Sequence, residues 1–321
     1  MRPKALITKK LLPEAMAYLK KHVDYEVAGI ERYPTKKEII SAVKNKKGLI
    51  SLLVDKIDKE IIDAAPDLKI IANCAVGYNN VDVKYATSKG IYVTNTPGVL
   101  TDTTADLTWA LILSVARRIP QADRFTREKK YKNWELDLFL GKDLAGKQLG
   151  IIGMGRIGKS VALRSQPFKL KTVYTDPKRL TPEEEKKYKT RFLPLEKLLK
   201  TSDIITIHTS LTKDTHHLIS RKNIHLIKKQ AILVNVSRGP VVEEKALAEA
   251  LEKGDLWGAG LDVYENEPEI EEKLLSMDHV VLLPHIGSAS YGTRIKMSMM
   301  AAKNLVHVLS GKKPVNPVNK I

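Results

Sequence analysis

The run Leu149-Gly150-Ile151-Ile152-Gly153-Met154-Gly155-Arg156-Ile157-Gly158 sets three glycines in G-x-G-x-x-G spacing directly after a short apolar stretch. Leu149, Ile151 and Ile152 read as a buried strand. Gly153 permits a tight turn, Gly155 lets backbone approach a pyrophosphate, and Gly158 lets a helix lie close on the strand. Arg156 and Ile157 open that helix, whose unpaired N–H groups and positive dipole end suit phosphate oxygens. A second strand, Lys171-Thr172-Val173-Tyr174-Thr175, runs into Asp176, 18 residues after Gly158. An acid at that distance accepts hydrogen bonds from the ribose 2′-OH of NAD and repels the 2′-phosphate of NADP. NAD(H) is therefore the favoured cofactor, while the cations Lys178 and Arg179 leave NADP(H) open.

Strand and helix patterns alternate on both sides of this turn. Ala5-Leu6-Ile7, a helix from Pro13 to about Lys21, Tyr25-Glu26-Val27, a helix near Lys36 to Val43, Gly48 to Leu53 and Leu68 to Ala72 fill the first 100 residues. Ile204 to Ile207, Ala231 to Asn235 and Val280 to Leu283 continue the pattern. Repeated βα units imply parallel sheets, the second occupying 101–287. Asp102 to Arg118 reads as a helix with cap-like residues at its start and arginines at its end. Being apolar almost all round, it is expected to lie buried between domains or subunits. A last helix, Tyr291 to Ser310, is expected to return to the first domain.

Charge and cysteine content narrow the function classes. The 54 bases and 37 acids give +17, which invites a nucleic-acid reading. The lysines, however, are interleaved with acids, as in Glu183-Glu184-Glu185-Lys186-Lys187, without an aromatic-and-basic groove pattern. No nucleic-acid partner is expected, and the basic field serves to steer anionic ligands. The single cysteine, Cys74, stands among apolar residues and fits a reducing, cytoplasmic setting. The longest apolar run, around Trp109 to Ala116, is well short of the roughly 18 residues a membrane span needs. No membrane association is expected.

Three polar segments end strands of the second sheet, where open α/β sheets place ligands. Asn235-Val236-Ser237-Arg238-Gly239 ends on a cation whose planar fork can hold a keto acid. Asp262-Val263-Tyr264-Glu265-Asn266-Glu267-Pro268 carries two candidate carboxylates, and Pro284-His285-Ile286-Gly287-Ser288 a histidine. Hydride transfer at a secondary alcohol needs a proton moved on or off oxygen near neutral pH, the work of a histidine. His285 is the candidate acid/base, with Glu267 to orient it. His216 and His217 are adjacent in a polar loop with no third donor at a metal-binding spacing nearby, so no metal is expected.

The order and spacing of Gly-Met-Gly-Arg-Ile-Gly, Asn-Val-Ser-Arg-Gly, Asp-Val-Tyr-Glu-Asn-Glu-Pro and Pro-His-Ile-Gly-Ser resemble the D-isomer-specific 2-hydroxyacid dehydrogenases. Within that family the chain is most similar to the glyoxylate/hydroxypyruvate reductases. The likeness extends over nearly the whole chain, including Ala75-Val76-Gly77-Tyr78-Asn79-Asn80-Val81-Asp82 and Thr94-Asn95-Thr96-Pro97-Gly98. It implies an α/β fold of two Rossmann-like domains, the dinucleotide-binding domain (101–287) inserted within a flavodoxin-like substrate domain (1–100 and 288–321). It also implies an Arg238-Glu267-His285 catalytic set. By the same resemblance Leu53, Val76, Gly77 and Arg238 bind a small 2-keto acid, the backbone N–H groups of Val76 and Gly77 taking its carboxylate. Thr104, Val236, Ser237, Asp262 and Gly287 join Gly153, Gly155, Arg156, Ile157, Gly158 and Asp176 around the cofactor. A homodimer reducing glyoxylate or hydroxypyruvate is the implied enzyme. Dehydrogenation of D-3-phosphoglycerate or D-lactate, and an NAD-sensing corepressor-like role, share the motifs.

If Asp176 reads the ribose, Asp176→Ala will weaken NADH more than NADPH. Equal losses of the two affinities in a fluorescence titration would remove it from that role.

Overall fold

The computed structural model describes residues 2–321 and divides into two compact units, Met1–Leu100 with Ser288–Ile321, and Thr101–Gly287. The first unit is built on β1 (Lys4–Lys9), β2 (Asp24–Gly29), β3 (Gly48–Ser51), β4 (Ile70–Asn73) and β5 (Tyr92–Thr94). All pairs are parallel, in the order β2-β1-β3-β4-β5. This is the flavodoxin-like order, with its topological reversal between β1 and β3. The fully buried runs Leu49–Ser51 and Ile70–Asn73 lie in the middle of a sheet covered on both faces. Helices α1 (Pro13–His22), α2 (Lys36–Val43), α3 (Lys59–Asp63) and α4 (Val83–Ser88) supply the crossovers. Their starts are chemically marked: Pro13 begins α1, and Thr35 with Glu38 forms a reciprocal capping box on α2. The C-terminal helix, Tyr291–Leu309, belongs to this unit and inserts Met297, Ala301, Ala302 and Leu305 into its core.

The second unit holds β6 (Gln148–Ile152), β7 (Lys171–Thr175), β8 (Thr190–Phe192), β9 (Ile204–Ile207), β10 (Ile232–Asn235), β11 (Gly258–Leu261) and β12 (Val280–Leu282). The order is β12-β11-β10-β9-β6-β7-β8, again parallel throughout. Its reversal point lies between β6 and β9. Around the sheet stand α5 (Thr101–Arg117), α6 (Ile119–Arg127), α7 (Arg156–Ser165), α8 (Pro182–Tyr188), α9 (Leu195–Thr201), α10 (Glu244–Glu252) and α11 (Glu272–Leu275). One face is sealed by Leu198, Leu199, Leu247 and Leu251, the other by α5 through Leu111, Ile112 and Val115.

Two readings shift. The strand expected from Leu68 starts at Ile70, because the Leu68 N–H caps the preceding turn by donating to the Ala65 carbonyl at 3.0 Å. The α5 helix packs Leu111, Ile112 and Val115 into its own unit and leaves Asp102, Asp106, Ala110 and Arg117 exposed on the single chain. Arg164 of α7 bridges Asp102 and Asp106. The three-residue strands β5 (Tyr-Val-Thr) and β8 (Thr-Arg-Phe) escaped the sequence reading because they show neither a period nor the continuous apolar run that marks β12.

The helix-to-strand approach at α7 can be tested. A Cβ at Gly158 would fall 2.2 Å from the Gly153 carbonyl oxygen, so Gly158→Ala must push α7 off β6. Overpacking of this kind costs about 1–3 kcal/mol, a Tm loss of roughly 2–12 °C for a unit of this size. A variant melting with the parent would show that the approach is not tight.

Candidate active site

The glycine turn sits at the end of β6. Gly153 has φ +93°, and a Cβ there would lie 2.7 Å from the Thr209 backbone nitrogen, so both conformation and space demand glycine. Gly155 caps α7 without a side-chain hydrogen bond and would carry its Cβ into open space. Exposed Arg156 and half-buried Ile157 are the first helical residues. Asp176, just past β7, accepts the Met154 N–H at 2.7 Å on one oxygen and the Lys178 N–H at 2.9 Å on the other. The acid is thereby fastened to the glycine turn itself. His208 follows β9 on the other side of the turn. Both its ring nitrogens are buried without a partner, and burial pushes the imidazole down to about 3. An open glycine cradle, an uncapped helix N-terminus, an acid at the second strand end and an orphaned neutral imidazole fit a dinucleotide. Sequence reasoning passed over His208, whose only signal was its position after an apolar strand.

Arg238, Glu267 and His285 follow β10, β11 and β12, three neighbouring strands. Parallel pairing therefore delivers all three to one edge of the sheet. His285 Nδ1 lies 2.8 Å from Glu267 Oε2, and the other Glu267 oxygen accepts the Tyr264 N–H at 3.1 Å. With a carboxylate as partner, Nδ1 carries the proton and Nε2 is left for exchange with a ligand. Burial pushes the Glu267 carboxyl up. The His285 hydrogen bond and charge, the Tyr264 N–H and the Arg238 charge outweigh this and hold it below its ordinary value. Glu267 is thus a carboxylate at neutral pH. Arg238 is half-buried, and burial pulls its guanidinium down while Glu267 opposes the shift.

The turn presenting Arg238 is organised by Asn235. Its Oδ1 accepts from the Ser237 N–H and hydroxyl at 3.1 and 2.9 Å, and its Nδ2 donates to the Arg238 carbonyl at 3.0 Å. Buried Val236 lies inside this turn. Gly239 lets it press against the next loop, since a Cβ there would fall 1.8 Å from the Tyr264 carbonyl oxygen. Arg238 and Glu267 are brought together by that contact.

His285 has φ +55°, an unusual conformation for a side chain to hold. The buried Asp262 carboxylate stabilises it by accepting the Ile286 and Gly287 N–H groups, one on each oxygen, both at 2.7 Å. Tyr264 Oη adds a hydrogen bond to the Leu283 carbonyl at 2.8 Å. Thr104 Oγ1 donates to the Gly287 carbonyl at 2.9 Å, which joins the start of α5 to the same turn. Thr104, Asp262 and Gly287 are therefore neighbours, and the partners of Asp262 here are backbone groups.

In the first unit, half-buried Leu53 follows β3 and half-buried Val76 and Gly77 follow β4. Asn95 Nδ2 donates to the Val76 carbonyl at 2.7 Å, and Asn73 Nδ2 to the Gly77 carbonyl at 2.9 Å. With both carbonyls held, the two N–H groups donate to no other group among the described residues. Asn80 ties this loop to the Leu53 loop through the Leu52 and Asp55 carbonyls, each at 3.0 Å.

The reading of His216 and His217 needs correction: a third donor does stand beside them, Glu265, 48 residues beyond His217. Sequence spacing could not show it because two separate loops supply the group. No helix among the described residues is long and apolar enough to cross a membrane.

Residues 109–287 match the model of the D-isomer specific 2-hydroxyacid dehydrogenase, NAD binding domain. Over its whole length the chain is 47% identical to a glyoxylate reductase of Thermococcus kodakarensis, of which it covers 97%. The crystal structure of TT0316 protein from Thermus thermophilus superposes with a TM-score of 0.91 at 43% identity, covering 98% of this chain and 100% of that one. A Sinorhizobium meliloti NADPH-dependent glyoxylate/hydroxypyruvate reductase, solved with NADP and malonate, gives 0.85 at 33%, covering 99% and 97%.

The depressed Glu267 carboxyl carries a pH signature. Its contribution to stability is complete above its ordinary value of 4.5 and is lost as pH falls through its lower folded value. Glu267→Gln removes that contribution at every pH. A plot of Tm against pH should therefore fall less steeply below about pH 4.5 in the variant than in the parent; parallel curves would mean that the pairing is energetically idle.

Proposed function

The chain belongs to the D-isomer specific 2-hydroxyacid dehydrogenase family, and from that premise we propose that it is an NAD(P)H-dependent reductase of glyoxylate and hydroxypyruvate, forming glycolate and D-glycerate. The observation that carries the reading is the His285–Glu267 pair at 2.8 Å, set with Arg238 on adjacent strand ends of the dinucleotide-binding sheet. The full-length likeness to glyoxylate reductases supports the choice of substrate. The bound nicotinamide supplies the hydride. Arg238 polarises the keto oxygen with a half-buried charge, whose partial loss of water strengthens it. His285 Nε2 gives the proton to that oxygen, and Glu267 stabilises the ring while it is charged. The free N–H groups of Val76 and Gly77 take the substrate carboxylate, with Leu53 lining its pocket. Gly153, Gly155, Arg156, Ile157 and Gly158 hold the pyrophosphate, Asp176 the ribose, and Thr104, Val236, Ser237, Asp262 and Gly287 the nicotinamide end.

The reading includes a homodimer, the usual assembly of the family, and a cytoplasmic setting. Cys74 supports the latter: burial pushes its thiol up to about 11, so it is inert and forms no internal disulfide.

The test is a kinetic panel of glyoxylate, hydroxypyruvate, pyruvate and phosphohydroxypyruvate, each with NADH and NADPH. Glyoxylate and hydroxypyruvate should give the highest kcat/KM, and His285→Ala should lower kcat by roughly 10²–10⁴-fold with cofactor affinity kept. Preference for phosphohydroxypyruvate, or background rates throughout, would refute the assignment.

A further inference from the structure

Outside the catalytic residues, two loops of the second unit converge on a cluster of metal-type donors. His216 and His217 end the loop after β9, and Glu265 lies in the loop after β11. One donor atom from each falls within 4.8 Å of the others. His217 Nε2 is 2.6 Å from Glu265 Oε1, and the two imidazole rings lie 4.0 Å apart, centre to centre.

The surrounding bonds hold these donors in place. The second Glu265 oxygen accepts the Glu244 N–H at 3.0 Å, and the Glu265 N–H donates to the buried Glu244 carboxylate at 2.7 Å. Glu265 is therefore oriented by a partner on its far oxygen, as ligating carboxylates are. His217 is held in a left-handed conformation, φ +51°, by donating its N–H to the Pro240 carbonyl at 2.8 Å. Ile219 and Val241 continue the attachment with a 3.1 Å backbone bond. His216 is exposed, so the open side of the cluster meets solvent.

We propose that His216, His217 and Glu265 bind a divalent transition cation of the zinc type, with water completing its coordination. Two imidazoles and a carboxylate are a donor set such ions favour over magnesium or calcium. Metal–ligand distances of about 2.0–2.2 Å place tetrahedral donors roughly 3.3–3.6 Å apart, so the cluster needs adjustments of about an ångström to close on an ion. Binding would fasten the loop after β9 to the loop that carries Glu267.

The experiment is titration of the purified full chain with Zn2+ in a non-chelating buffer at neutral pH, in competition with a chromophoric chelator and with melting followed in parallel. One ion per chain should bind and raise Tm. His216→Ala, which alters an exposed side chain and leaves the fold intact, and Glu265→Gln should each weaken binding at least tenfold, while His285→Ala should leave it unchanged. Binding retained in His216→Ala, binding lost in His285→Ala, or no stoichiometric uptake by the parent would overturn the proposal. The last outcome would leave His217–Glu265 as a plain hydrogen-bonded pair.

Discussion

Parallel pairing governs this molecule. A parallel strand must be followed by a crossover, so both faces of each sheet are covered and every strand ends at the same edge. In the second unit that edge collects, in order, the ends of β12, β11, β10, β9, β6 and β7. His285, Glu267, Arg238, His208, the glycine turn and Asp176 all lie just past those ends. Polar side chains gather there because the strands are buried through their length and largely apolar, as in Ile232–Asn235 and Ile204–Ile207.

Adjacent strand ends alone would leave the side chains several ångströms from a working geometry. The close approach at Gly239 and the turn around Asn235 remove that slack between Arg238 and the Glu267 loop. The buried Asp262 carboxylate does the equivalent for His285. Two carboxylates in one loop thus take different work from different surroundings. Asp262 is raised by burial, with the Ile286 and Gly287 N–H groups and His285 opposing, and it holds backbone. Glu267 is kept ionised and faces the imidazole. Exchanging their environments would exchange their roles.

The loop after β11 carries a third acid, Glu265, which turns toward His217 and α10. The acids from Asp262 to Glu267 therefore reach two other loops: Asp262 and Glu267 the turn after β12 that carries His285, and Glu265 the His217 loop. The loop is a junction whose position depends on both.

The sequence by itself determined the class of fold, the cofactor turn and the identity of the chemical groups. Hydrophobic patterning and the spacing of glycines are local properties, written in the run Leu149–Gly158 and in largely apolar runs such as Ile204–Ile207. Arg238, Glu267 and His285 stood out as candidates because each follows a recognisable strand and because the motifs around them resemble a known family. What only the tertiary structure decided is which polar atoms meet. Nothing local told that both Asp262 oxygens would be taken by N–H groups 24 and 25 residues away, or that Glu265 would meet His217 across 48 residues. The same holds for the backbone contact that requires Gly239 and for the isolation of His208. A hydrogen bond depends on tenths of an ångström between separate loops, and those distances are set by how the strands pack, which no spacing along the chain encodes.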